Sequence, residues 1–220
     1  CLKDWDVNAV PAFKICCYIN ICSPCSGKQI SDANRGWPKF PCELCNTPYP
    51  ESTEEALALL RRHVENDNRS AMCQLAYAYD DGDYDLVPSA DVATQLFERA
   101  AELGDVLAMY RLGMRYRVGD GVEVDTKKAI EYYRKAADRG MANAQHSLGL
   151  MFSLDGSNEV GVAQDDGAAA RWYRLAADQG YTKAECNLGI KYAQGRGVAQ
   201  NPTMAIHFLE RSAAKGNEYA

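Results

Sequence analysis

No run of about eighteen or more apolar residues occurs anywhere in the chain, so the sequence holds no segment able to cross a bilayer as a helix. Basic side chains are also short: 24 Lys and Arg face 30 Asp and Glu, for a net charge of −6, and they form no cluster. A protein that grips a phosphate backbone needs a concentrated basic face, and a helix lying on lipid needs Lys and Arg along one side. Nucleic acid and membrane surface are therefore excluded as expected partners. The three histidines, His63, His146 and His207, fall on separate predicted helices with no nucleophile at matching spacing, and each reads as surface or core filler. Gly119-Asp120-Gly121 lacks the preceding strand and the Lys of a phosphate loop. Asp81, Asp83 and Asp85 alternate like the start of a calcium loop, but Leu86 stands where such a loop needs Gly and no Glu closes it, so a solvated turn is expected. An initiating Met is missing too; a chain that begins on Cys1 is expected to be a piece of a longer protein.

What is present is a pattern written four times. The second copy shows it best, with Ala108, Leu112-Gly113, Tyr116, Gly119, Gly121-Val122, Asp125, Ala129, Tyr132-Tyr133, Ala136-Ala137 and Gly140. The fourth repeats it as Ala184, Leu188-Gly189, Tyr192, Gly195, Gly197-Val198, Asn201, Ala205, Phe208-Leu209, Ala213 and Gly216. The third has Ala144, Leu148-Gly149, Phe152, Ala169, Trp172-Tyr173, Ala176-Ala177 and Gly180; the first has Ala71, Leu75-Ala76, Tyr79, Ala93, Leu96-Phe97, Ala100-Ala101 and Gly104. A period of 36 to 40 residues marks a stack of small units, each unable to bury its apolar face alone.

Each copy reads as two helices. In the first, Ala, Leu, Gly and Tyr recur at steps that place them on one face. A glycine inside a helix costs about 1 kcal/mol relative to Ala, so its return at Gly113, Gly149 and Gly189 predicts two helix backbones in close approach. The second helix carries an aromatic pair flanked by alanines and ends at Gly104, Gly140, Gly180 or Gly216, as a left-handed C-terminal cap requires. The third copy is longer, and its extra polar segment, 153–166, is expected on the outside. Ahead of the first copy, Ser52-Thr53-Glu54-Glu55 resembles a capping box opening a helix whose Ala56, Leu57, Leu60 and Val64 can cover the end of the stack.

The Leu-Gly-x-x-Tyr, Gly-x-Gly-Val and Ala-Ala-x-x-Gly motifs resemble the Sel1-like repeat family, a relative of the tetratricopeptide repeats, over residues 69–220. That resemblance implies an all-α fold, a right-handed solenoid of helix-turn-helix repeats, and a role as an adaptor that holds other proteins, in some members within ubiquitin-dependent degradation. The expected organisation is a cysteine-rich module over 1–50, a capping helix over 51–68, repeats over 69–104, 105–140, 141–180 and 181–216, and the start of a fifth at Ala220. A hydrolase built on such repeats is a more distant class implied by the same likeness.

Seven of nine cysteines crowd the start: Cys1, Cys16, Cys17, Cys22, Cys25, Cys42 and Cys45. Two C-x-x-C pairs some sixteen residues apart suit zinc, because the turn between paired thiolates aims both sulfurs at one tetrahedral ion. Disulfide bonding is the alternative, weakened by the odd count and by the isolated Cys73 and Cys186, which read as small packing residues. About fifty residues with few large apolar side chains cannot bury enough surface to fold unaided, so the zinc is expected to be structural. The arrangement resembles an all-cysteine RING finger. That likeness implies that Cys1, Cys22 and Cys25 share one zinc with a ligand lost upstream, that Cys16, Cys17, Cys42 and Cys45 hold the other, and that a ubiquitin-conjugating enzyme is a partner. Glu43 where such fingers commonly carry Pro, Asn46 after the last cysteine, and the adjacent Cys16 and Cys17 depart from the pattern.

For partner contact the favoured residues flank the Leu-Gly motif: Gln74, Arg111, Ser147 and Asn187, with Ala78, Arg115, Met151 and Lys191 one turn later. They vary while the packing residues do not. Two function classes follow: a protein-binding scaffold, and a ubiquitin ligase with a fused substrate-binding array. A monomer in the cytoplasm or nucleus is expected.

Overall fold

The computed structural model describes residues 52–153 and 163–217. Every regular element among them is helical, in keeping with the all-α expectation. The chain divides into two units, residues 1–105 and 106–220.

In the first unit α1 (Thr53–Glu65) precedes the first helix pair, α2 (Arg69–Asp81) and α3 (Ala90–Glu102). The capping reading of Ser52 holds: its hydroxyl accepts from the Glu55 amide at 3.1 Å. Leu57, Leu60 and Val64 of α1 are buried, and α1 packs on α2. Between α2 and α3, Asp83–Asp85 form a single 3-10 turn with Tyr84 and Asp85 in the left-handed region. The aspartates thus stand in a tight turn.

The second unit holds three pairs: α4 (Val106–Val118) with α5 (Thr126–Ala137), α6 (Ala142–Ser153) with α7 (Asp166–Asp178), and α8 (Thr182–Gln194) with α9 (Pro202–Ala213). Each second helix starts on a side chain that accepts from the amide three residues on, satisfying a donor the helix itself leaves orphaned: Ser89, Asp125, Asp165 and Asn201. Gly104, Gly140, Gly180 and Gly216 all take φ between +81° and +87° where the second helix ends.

The glycine inside the first helix makes room for a side chain, which corrects the expectation of two backbones in contact. A Cβ on Gly113 would meet the Tyr133 ring at 2.5 Å, and one on Gly149 the Tyr173 ring at 2.5 Å. In the last pair Gly189 faces Leu209, with the Ala205 carbonyl oxygen 3.2 Å from where the Cβ would be. The aromatic pair of the second helix thus divides its work. The second ring fills the glycine notch, while the first stacks on the tyrosine that ends the Leu-Gly motif, Tyr132 on Tyr116 at 5.6 Å and Phe208 on Tyr192 at 5.9 Å.

Candidate protein-interaction face

With the alanines, the Leu-Gly pair and the tyrosines turned inward, the first helix of each pair keeps one outward face. Gln74, Arg111, Ser147 and Asn187 lie half-buried at its edge. Ala78, Arg115, Met151 and Lys191, expected one turn later as partner contacts, are 1%, 4%, 3% and 5% exposed. Burial takes these four off the surface, and the reason is local. Arg115 folds onto its own loop, donating to the Asp120 carbonyl oxygen at 3.1 Å and pairing with the Asp120 carboxylate at 3.1 Å. Lys191 reaches the carboxylate of Asp166, which Arg196 also holds at 3.2 Å. Burial alone would raise the Asp166 carboxyl, but the hydrogen bonds and charges of Lys191 and Arg196 outweigh it and hold the group below its ordinary value.

Asn187 is also engaged within the unit. Its Nδ2 lies 3.1 Å from Nε2 of His146, whose ring sits against Tyr173 and Tyr181. Burial first, then the charge of Lys183, pushes His146 down to about 4, so the imidazole is neutral at pH 7. Burial likewise raises the Tyr173 hydroxyl to about 12 despite its hydrogen bonds with Ser153 and Asn187. His146 and its neighbours thus form a hydrogen-bonded packing cluster. His63 is buried as well, while His207 is exposed.

A second buried polar column runs one residue after the alanine. Gln145 donates to the Ala137 carbonyl oxygen at 3.2 Å and accepts from Gln179 at 2.8 Å. In the next pair the same two positions carry charge: Glu185, fully buried, meets Lys215 at 2.8 Å and Arg211 at 2.6 Å. Cys73 and Cys186 are buried.

What remains outward is a line of aliphatic side chains that sequence reasoning passed over. Leu150 is 41% and Ile190 38% exposed, and Met114, half-buried, holds the same register position on α4. Leu107 and Val118 extend the apolar surface on α4. The signal was legible: Met114, Leu150 and Ile190 all stand six residues after the motif alanine, an apolar position that recurs outside the packing motif. The expected zinc ligands Cys1, Cys16, Cys17, Cys22, Cys25, Cys42 and Cys45 lie outside the described residues. No described helix is long and apolar enough to cross a membrane.

Among known proteins, the Sel1 repeat profile matches residues 69–105, 106–141, 142–181 and 182–217. The crystal structure of c5321, a protective antigen of uropathogenic Escherichia coli displaying an SLR fold, is similar at 35% identity and a TM-score of 0.69, over 73% of this chain and 33% of that one. A Sel1 repeat protein from Oxalobacter formigenes is similar at 32% identity and a TM-score of 0.67, over 77% of this chain and 48% of that one. The ERAD-associated E3 ubiquitin-protein ligase component HRD3 of Candida glabrata is 36% identical over 95 residues, 41% of this chain and 11% of that protein. This chain spans between 6% and 20% of the length of the curated relatives it matches. Four consecutive matches, each coinciding with one helix pair and together taking in most of the 220 residues, mean that the chain belongs to the Sel1 repeat family.

Proposed function

We propose that this chain is a protein-interaction scaffold whose repeats hold a partner on the outward face of their first helices, with the cysteine-rich segment as a separate, zinc-stabilised module. The observation that carries it is the exposed aliphatic line at Leu150 and Ile190 on helices whose buried His146, Lys191 and Glu185 are occupied within the fold. Apolar side chains aligned on neighbouring elements are costly to leave in water and mark contact surfaces. Nothing in this reading asks the repeats to perform chemistry; binding and orientation are the whole contribution.

Zinc belongs to the proposal through donor chemistry. Cys22 and Cys25, and Cys42 and Cys45, have the spacing of paired thiolate ligands, and Cys1, Cys16 and Cys17 supply the remaining sulfurs. Thiolate ligation of zinc asks for reduced cysteines and so accords with a reducing compartment, the cytoplasm or nucleus. A monomer is the simplest state for such a scaffold.

A second reading is favoured by one relative and one motif. HRD3 is by its name a component of a ubiquitin ligase, and the cysteine spacing resembles a RING finger. In that reading the module docks a ubiquitin-conjugating enzyme and the repeats present the substrate, raising the local concentration of the acceptor at the thioester.

Two experiments test these readings. Tagged chain is recovered from its source cells and stoichiometric partners are identified; the scaffold reading expects a partner whose capture survives replacement of the cysteines and is lost when Arg111 and Ser147 are changed to Asp. Absence of any stoichiometric partner, or capture through residues 1–51 alone, would overturn it. Elemental analysis expects zinc in the purified chain, and a ubiquitination assay with a panel of conjugating enzymes separates the two classes, since polyubiquitin formation is expected of the ligase alone.

A further inference from the structure

We infer that the aliphatic line Met114, Leu150 and Ile190 docks an acidic segment of the partner, one in which apolar side chains alternate with carboxylates. The inference rests on the scaffold reading and names the chemistry of what the scaffold holds.

The charge on the three first helices of the second unit runs against that of the whole chain. α4 carries Arg111, Arg115 and Arg117, α6 carries no charged residue, and α8 carries Lys183 and Lys191 against a single acid, Glu185. That acid is 0% exposed and ion-paired with Arg211 and Lys215. These helices therefore present no carboxylate to solvent at all, in a chain of net charge −6. The acids of the unit stand instead on second helices and in loops, as with Asp120, Glu123, Asp125, Glu131, Asp138, Asp178 and Glu210.

Cations flank the apolar line where helical geometry puts neighbours. Arg111 and Arg117 each lie three residues from Met114, so all three share a side of α4. Lys183 lies two turns before Ile190 on α8 and is exposed. An apolar strip whose own helices carry cations beside it and expose no carboxylate favours a ligand with the opposite pattern. Its apolar side chains cover Leu150 and Ile190, and its carboxylates meet the cationic edge and speed the encounter. A basic segment would meet like charge on both edges. The aliphatic centre gives the phosphates of a nucleic acid nothing to bond, so an acidic protein segment is the occupant the face fits.

The test uses the full chain and a fluorescein-labelled peptide in which leucines alternate with pairs of glutamates, beside counterparts with lysine or glutamine for glutamate. The acidic peptide is expected to bind about tenfold or more tightly than the lysine peptide, a gap equivalent to about 1.4 kcal/mol, and to weaken as salt is raised. Leu150→Glu with Ile190→Glu is expected to weaken it by a further tenfold or more; Leu150→Ser with Ile190→Ser, which adds no charge, should lose affinity without losing the preference for acid. Helical circular dichroism confirms that each variant is folded. Equal binding of the acidic and lysine peptides, or unchanged binding by both folded variants, would overturn the inference. So would self-association of the chain abolished by Leu150→Glu with Ile190→Glu, since the occupant would then be a second copy. Stoichiometric capture of a natural partner by a chain that ignores the acidic peptide sinks this inference and leaves the scaffold reading standing; failure of both assays sinks both.

Discussion

Gly113 faces the ring of Tyr133 so closely that a Cβ there would lie 2.5 Å from Cδ1, and Gly149 stands in the same relation to Tyr173. Replacing either by Ala gains up to about 1 kcal/mol of helix propensity. It also forces a buried ring off its seat, and overpacking of that kind costs roughly 1–3 kcal/mol. The ring is the stiffer partner, so Gly113→Ala and Gly149→Ala are expected to lower stability in urea unfolding. Gly189→Ala should cost less, because the nearest side chain is Leu209, which has other rotamers.

Gly197 and Gly140 both take positive φ, +72° and +87°, yet their surroundings differ. A Cβ on Gly140 meets nothing within 4 Å, whereas one on Gly197 would collide with the backbone carbonyl of Asp166 at the start of α7. Gly140→Ala is expected to cost about 1–2 kcal/mol, the ordinary price of a left-handed residue. Gly197→Ala adds a clash that no rotamer can relieve and should be the more damaging of the two by at least about 1 kcal/mol in the same measurement.

These contrasts show what could be read from residues alone. Alanine, Leu-Gly and the terminal glycines recur because close packing and left-handed caps admit few residue types, so the helix pairs and their ends were legible. Which atom fills the notch at Gly113 was not, since a missing side chain says that space is needed but not by whom. Burial of Arg115 and Lys191 was hidden for a different reason. Long cations read as solvated until their acceptors, Asp120 in a loop and Asp166 at the start of α7, are seen to meet them, and no periodicity encodes that geometry. Asp166, expected in an outlying polar segment, is the first residue of α7 and holds two cations.

Glu185 and Gln145 occupy equivalent positions, met by Lys215 and Gln179. Removing one member of a buried ion pair costs about 3–5 kcal/mol. Arg211 and Lys215 are each 39% exposed and can turn to water, which places Glu185→Ala nearer about 1–3 kcal/mol. The neutral arrangement of the preceding pair indicates a rescue. Glu185→Gln with Lys215→Gln is expected to be more stable than Glu185→Gln alone, and a double-mutant cycle in urea measures the coupling.

Metal removal should separate the two parts of the chain. The contacts seen within the repeats are apolar packing, hydrogen bonds and ion pairs between protein groups. A zinc chelator is expected to leave the helical circular dichroism and the urea midpoint of the repeats unchanged while stripping zinc from the purified chain. A large loss of helix on chelation would show that the repeats depend on the metal.

His146 makes the stability of the α6 to α8 region depend on pH. Its folded value is pushed down from 6.5 to about 4 by burial and by Lys183, with the rings of Tyr173 and Tyr181 against it and Asn187 on Nε2. Between these values the unfolded chain binds a proton that the folded one refuses, so acid favours unfolding. The contribution is fully present above about pH 6.5, shrinks as pH falls and is gone below about 4; at about 1.4 kcal/mol per pKa unit it amounts to at most about 3 kcal/mol. Urea midpoints at pH 7 and pH 4.5 should therefore differ more in the parent chain than in His146→Phe, which has no proton to bind. Equal pH slopes in the two proteins would mean that His146 is not the group being titrated, and that carboxylates such as Asp166, held low by Lys191 and Arg196, carry the acid sensitivity instead.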